Sequence, residues 1–452
     1  MFKHQLQNLK LQQFDQQLPL LTIDLPASES VTVMILANAG SRYEQQSKEG
    51  IAHFFEHLVF KGTNSYPHAK DLSRALDSVG ADFNAFTSKE YTGYYVRSAA
   101  TNFDLSLDVL SDMLLAPALR QSDIDREKGV IIEELNMYVD MPQRHIANVF
   151  EEMLFAERGL SHDIIGHKKS INSMTRADFE AFLGRYYGPE NLLLVIAGGL
   201  DKLAKDRAIL ENKIQLAFGK LTAQRGENQK LAVPRATKAN LINQKAFSED
   251  KFKLIERNSE QAHFVMAWPS LHGRHEDRLV LSVLSAILGG NMSARLFSQV
   301  REQRGLCYYI HSNLDFYHDA GYFGVSAGVD PKRVEEAIKV TKSVFLNLAN
   351  ANGQAGEQGR ISEEELARAK SYLKGKILLS LESSQRVAEF YGFKQLLNDD
   401  IMTPTEMLAK IEAIQVADLQ ALAKEILDPK ELRLAMIGNF KNAEQIESWL
   451  TR

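Results

Sequence analysis

The chain has 452 residues, 44% hydrophobic and 25% charged, which is a globular composition and more length than one core accommodates, so at least two domains are expected. A net charge of −5 leaves no electrostatic case for nucleic acid as a partner. The single cysteine, Cys307, excludes internal disulfides and fits a reducing, cytoplasmic setting, and no uncharged apolar run of about 18 residues argues for a membrane. Met1 to Gln17 is polar, rich in glutamine, and lacks the apolar core of a signal peptide. After it, Leu20–Leu25 and Val31–Leu36 read as paired strands.

The next segment, His53-Phe54-Phe55-Glu56-His57, is the most informative word in the chain. Histidines at i and i+4 of a helix lie about 40° apart and can reach one metal ion. Glu56 is on the same side, while Ile51, Phe54, Phe55, Leu58 and Val59 supply an apolar opposite face. His-x-x-Glu-His is the inverted zincin pattern, and imidazole suits zinc; two helical histidines that merely pack are the plain alternative. Catalytic zinc takes three protein ligands and keeps a place for water, so a third donor is expected. Further on, Phe83-Asn84-Ala85-Phe86-Thr87 and Tyr91–Val96 suggest a hairpin.

Ser122-Asp123-Ile124-Asp125 carries a capping pattern, and Arg126–Tyr138 reads as the helix that follows. Glu127, Ile131, Glu134 and Tyr138 share one face, with Glu133 turned about 100° away from Glu134. Glu134 is the stronger third ligand and Glu133 the weaker one. Glu127, two turns earlier, is placed to orient a ligating histidine, or is an ordinary acid in the first helical turn.

Residues 171–198 and 411–438 align without gaps at an offset of 240. Ile171, Ala177, Asp178, Ala181, Pro189, Leu192, Leu194 and Gly198 recur as Ile411, Ala417, Asp418, Ala421, Pro429, Leu432, Leu434 and Gly438. Each copy reads as a helix, a proline-marked break and an apolar strand. Lys253–Glu256 and Ala262–Trp268 take the place of the two N-terminal strands, so an internal duplication is expected. The expected domains are 1–221, with the metal site, and 251–452, joined by a polar linker at 222–250. Alternating strand-like and helical segments make each an α+β domain with a mainly antiparallel sheet. In the second copy Leu281–Leu288 offers no ligand and reads as core helix, with Gly289-Gly290 as its C-terminal cap. Residues 349–359 read as a surface loop. Cys307 reads as a small buried hydrophobe, and His272 and His275 as turn residues without a metal role.

Taken together, Gly50-Ile51-Ala52-His53-Phe54-Phe55-Glu56-His57-Leu58, Phe60-Lys61-Gly62-Thr63, Asn84-Ala85-Phe86-Thr87 and Glu127–Glu134 stand in an order that resembles the inverted-zincin peptidases. That family includes pitrilysin, insulin-degrading enzyme and the mitochondrial processing peptidases. The resemblance implies zinc on His53, His57 and Glu134, Glu56 as general base, and Glu127 as the outer acid. It implies that Asn84 and Ala85 lie on an edge strand that pairs with substrate backbone. It also maps the family's Arg and Tyr pair onto Arg301 and Tyr308, which would reach from the partner half of a clamshell toward the substrate and stabilise developing charge; the plain alternative is an exposed helical arginine and a packed strand tyrosine. Two similar domains would make one such half. The expected activity is zinc-dependent endopeptidase action on peptides or unstructured segments in a closed chamber, either broad or devoted to one protein substrate. The alternative is a non-catalytic structural or chaperone-like subunit. A homodimer is the economical assembly, with a heterodimer containing a degenerate homologue as the other possibility.

Overall fold

The computed structural model describes residues 9–13, 18–155, 159–203, 207–219, 221, 246–349, 359–398 and 400–451. The first sheet contains β1 (Leu9–Gln13), β2 (Pro19–Asp24), β3 (Ser30–Ala37), β4 (Asp82–Thr87), β5 (Thr92–Ala99) and β6 (Leu192–Gly198), in the order β1-β2-β6-β3-β5-β4. The second contains β7 (Phe252–Glu256), β8 (Ala262–Pro269), β9 (Cys307–Phe316), β10 (Gly321–Val329) and β11 (Arg433–Gly438), in the order β7-β11-β8-β10-β9. With β1 set aside, the two orders agree strand for strand. Each contains one parallel pair, β2–β6 and β7–β11, and the remaining described pairings are antiparallel. The duplication read from the sequence is thus a duplication of topology, and the α+β class with mainly antiparallel sheets holds.

The aligned repeat keeps its local detail. Helices Arg176–Tyr186 and Val416–Ile426 each begin with an aspartate, Asp178 or Asp418, accepting a backbone N–H at 2.8 Å from Thr175 or Gln415. Short 3-10 turns at Pro189–Asn191 and Pro429–Glu431 then lead into β6 and β11. Every residue of both strands is buried, which explains their near-continuous apolar sequences.

The described residues divide into two compact units that are not contiguous in sequence. The first draws on Met1–Asn136, His162–Ala232 and Leu379–Thr403, and the second on Met137–Ser161, Val233–Leu378 and Pro404–Arg452. In the first unit, helix Ser384–Phe393 lays Val387, Ala388 and Tyr391 on a sheet face of Leu21, Met34, Leu36, Leu193 and Val195. Ser384 Oγ also lies 2.9 Å from Thr32 Oγ1. In the second, helix Pro142–Phe155 lays Ile146, Val149, Phe150 and Met153 against Val265, Ala267, Tyr322 and Ile437. Each sheet is therefore backed by a helix contributed from the other half of the sequence. Most of the expected linker, 222–245, and the interior of the loop 349–359 lie outside the described residues. Among the described residues no helix is long and apolar enough to cross a membrane.

Two local expectations change, and a third holds. β2 and β3 are not paired with each other, because β6 lies between them, as β11 lies between β7 and β8. The long helix runs Gln121–Asp140, so Ser122 to Asp125 lie inside its first turns. Cap-type acids also favour the positive end of the helix dipole, and Leu119, at φ 42, is where the preceding chain turns. Helix Arg278–Gly289 ends where the sequence suggests, with Gly290 as its C-cap, and a Cβ on Gly289 would stand 2.4 Å from the Ser312 backbone nitrogen, so close approach to β9 requires glycine there.

Candidate active site

The one cluster of metal-type side chains among the described residues, His53, His57 and Glu134, lies in the first unit. Helix Ile51–Leu58 starts at Gly50, whose φ of 90 and whose backbone position, with a Cβ only 2.2 Å from Ile165 O, demand glycine. Its first N–H groups are met by a buried carboxylate, Gly50 N–H donating to Glu44 Oε2 at 2.7 Å and Ala52 N–H to Oε1 at 2.8 Å. Burial pushes Glu44 up to about 8, against those two bonds. On the inner face Phe54 packs on Phe179 and Phe55 on Tyr187, with ring centroids 5.0 and 5.2 Å apart. Burying each phenylalanine contributes about 1.5–3 kcal/mol, enough to fix the rotation of an eight-residue helix. His53, Glu56 and His57 are consequently held on its other side.

Helix Gln121–Asp140 buries Ile124, Glu127 and Ile131, a stripe that continues to the half-buried Glu134. Glu134 Oε2 stands 3.7 Å from His53 Nε2 and 3.5 Å from His57 Nε2. The donor atoms of His53, His57 and Glu134 all lie within 4.8 Å of one another, and no other such group occurs among the described residues. A tetrahedral ion with bonds of about 2.1 Å separates its donors by about 3.4 Å, so this set fits one small cation. Glu133 points outward, and Asn136 Nδ2 donates to it at 3.5 Å.

The surroundings suit ligation. Burial, and then the neighbouring His57, hold His53 down at about 3, so its ring is neutral and keeps a lone pair at physiological pH. His57 Nδ1 donates to Glu127 Oε1 at 2.9 Å, an arrangement that in the neutral tautomer turns the lone pair of Nε2 toward Glu134. Burial pushes the Glu127 carboxyl up, but the hydrogen bonds and charges of His57 and Lys61 outweigh it and hold the group below its ordinary value. Glu56 shows the opposite balance. Burial raises it, the Thr87 hydrogen bond and His57 pull it back, Glu134 adds to the rise, and the net direction is upward. An upward shift is the direction a carboxylate needs to act as a base toward water.

Thr87 Oγ1 donates to Glu56 Oε2 at 2.5 Å, tying that carboxylate to β4, the outer strand of the sheet. Asn84 is exposed and Ala85 buried on the same strand, and Ala85 N–H donates to Asn84 Oδ1 at 2.9 Å. Arg301 and Tyr308 lie in the second unit: Arg301 is exposed with its guanidinium 4.7 Å from the Phe297 ring centre, and Tyr308, near the start of β9, is 74% exposed. Cys307 is half-buried, and burial pushes its thiol up to about 11. Reading by residue missed Lys61 and Thr87, although both lie in words already singled out, Phe60–Thr63 and Asn84–Thr87. Nothing in their local pattern says which acid each one meets.

Residues 20–168 match the model for insulinase, peptidase family M16, and residues 173–373 match the model for the peptidase M16 inactive domain. A protein of Streptomyces coelicolor named as an uncharacterized zinc protease is 33% identical, over 94% of this chain and 89% of its own length. A Bacillus subtilis protein with the same description is 28% identical, over 91% and 94%. Among solved structures, a protease from Helicobacter pylori superposes with a TM-score of 0.82 at 20% identity, over 95% of this chain and 99% of its own. A Pseudomonas fluorescens structure described as a peptidase M16 inactive domain gives 0.83 at 19% identity, over 96% and 98%. At such identities the two structures speak for the fold alone.

Proposed function

The chain belongs to the insulinase family of M16 peptidases, and from that premise we propose that it is a zinc-dependent endopeptidase acting on peptides or unstructured protein segments. One observation carries the reading: His53 Nε2, His57 Nε2 and Glu134 Oε2 converge, with Glu56 of the same helix held beside them by Thr87. Zinc is the metal in the names of the relatives, and the two-imidazole, one-carboxylate set suits it. Bound there, zinc would supply Lewis acidity, polarising a peptide carbonyl and making water acidic enough to lose a proton near neutral pH.

The remaining work falls to the chain's own groups. Glu56 takes the proton from the attacking water on its carboxylate and hands it to the leaving amine. Glu127 holds the His57 ring so that Nε2 points inward. Asn84 and Ala85 offer an edge-strand backbone along which an extended peptide can lie, once Ala85 N–H is released from the Asn84 side chain. Replacing Glu56 by Gln tests the reading. Zinc should stay bound while cleavage of a mixed peptide library falls by about 10²–10⁴-fold. Cleavage at the unaltered rate would remove Glu56 from the mechanism.

A two-fold homodimer completes the proposal, with Arg301 and Tyr308 of one copy serving the site of the other. Mixing a Glu56→Gln chain with an Arg301→Ala chain should restore activity, since mixed dimers contain one site with both groups intact. At random exchange that is about a quarter of all sites. Absence of recovery, with subunit exchange shown separately, would rule out service across the dimer.

A further inference from the structure

Beyond the ligands and the base, the structure assigns Lys61 as a positioning residue that fixes the metal site through Glu127, an inference that rests on the zinc reading above. Glu127 is 3% exposed, and both of its oxygens are engaged. Oε1 accepts from His57 Nδ1 at 2.9 Å, and Oε2 lies 2.7 Å from Lys61 Nζ. Lys61, Glu127, His57 and the His53–Glu134 pair thus form a continuous chain of contacts, from a partly exposed ammonium to the point where the donors converge.

Local backbone delivers Lys61 to that position. The turn after helix Ile51–Leu58 is closed by Lys61 N–H donating to Leu58 O at 3.0 Å. Next comes Gly62 at φ 137, where a Cβ would stand 2.4 Å from Pro67 O. Gly62 O accepts from Ala118 N at 3.0 Å, Thr63 N–H donates to Tyr66 O at 2.8 Å, and Thr63 Oγ1 donates to Asp112. A turn pinned at this many points cannot slide, so the lysine base is fixed even though its side chain is 34% exposed. This accounts for the word Phe60-Lys61-Gly62-Thr63, which the ligand set leaves unused.

The physical role follows from the buried carboxylate. One oxygen must stay on His57 Nδ1 to hold that ring in register. Without a cation on the other oxygen, a buried carboxylate is left half unpaired and is free to turn away from the ring. Outer partners of a metal-bound histidine commonly contribute 10–100-fold to affinity, and Lys61 acts one contact further out.

The test is the zinc dissociation constant of the purified full-length chain, measured by competition with a chromophoric chelator at fixed pH. Lys61→Met should weaken binding by about tenfold, and Lys61→Arg, which keeps the cation, should restore most of it. Lys61→Gln is read in parallel, and melting of the metal-free proteins reports folding separately. If Lys61 works through Glu127, the Lys61→Met, Glu127→Gln double variant should bind no more weakly than Glu127→Gln alone. Undiminished affinity in both uncharged variants, or losses that multiply in the double variant, would overturn the role of Lys61 and leave the zinc site standing. If the unaltered chain takes up no zinc, the reading beneath fails and the role of Lys61 with it.

Discussion

Helices Ile51–Leu58 and Arg278–Gly289 follow corresponding strands of two sheets whose orders match once β1 is set aside, lying between β3 and β4 and between β8 and β9 in the chain. One presents His53, Glu56 and His57 beside Glu134; the other is filled by Leu281, Val283, Leu284, Ile287 and Leu288. Their beginnings differ too. Glu44 meets the first N–H groups of the former, whereas Asp277 makes no side-chain cap on the latter. The lesson is that the fold and the chemistry are written in different residues. Apolar faces hold both helices in place, while a few polar positions give the first unit the one metal-type cluster among the described residues.

The comparison is broken most strongly at the proposed ligands. Glu134→Gln should strip zinc and peptide cleavage together, whereas Glu133→Gln should leave both near the unaltered level, because only Glu134 faces the histidines. Metal analysis and an activity assay on the same preparations would settle the ranking, and the reverse order would put the helix phase off by one residue.

A core substitution in the second helix should behave in the opposite sense. Leu284, fully buried, should cost about 2–5 kcal/mol of stability as Leu284→Ala, with zinc per folded chain unchanged. Denaturant unfolding with metal analysis would check this, and zinc loss from a folded variant would show that the two units are not independent in this respect.

A pH-dependent effect separates the two helix beginnings. Burial raises the folded-state value of Glu44 from 4.5 to about 8, so the folded protein holds a proton that the unfolded chain has released. Its contribution is fully present below pH 4.5 and is lost as pH rises toward 8. Metal-free Glu44→Gln should therefore show a shallower fall in melting temperature across that window than the unaltered chain. Equal slopes would remove Glu44 as the source.

Much of this was legible because the signals are local or periodic. His53 and His57 are one helical turn apart, and Glu127, Ile131 and Glu134 mark one stripe, so the faces these residues share needed only helix geometry. The duplication was visible because Asp178 and Asp418, or Pro189 and Pro429, do the same local work at helix starts and breaks. What escaped depends on contacts between distant segments. No pattern near Leu20 or Val31 says that β6 will slide between them, and nothing in Ser384–Phe393 announces that it backs the sheet of Leu21 and Leu193. Lys61 and Thr87 were unreadable for the same reason, since their partners Glu127 and Glu56 are 66 and 31 positions away in sequence.

The central claim, that the first unit carries the whole metal site and the second none, is tested most directly by zinc stoichiometry. Elemental analysis of the purified chain should give about one zinc per chain, falling to none when His53 and His57 are both replaced by alanine in a protein that remains folded. About two zinc ions per chain, or about one that survives the loss of both histidines, would contradict the account.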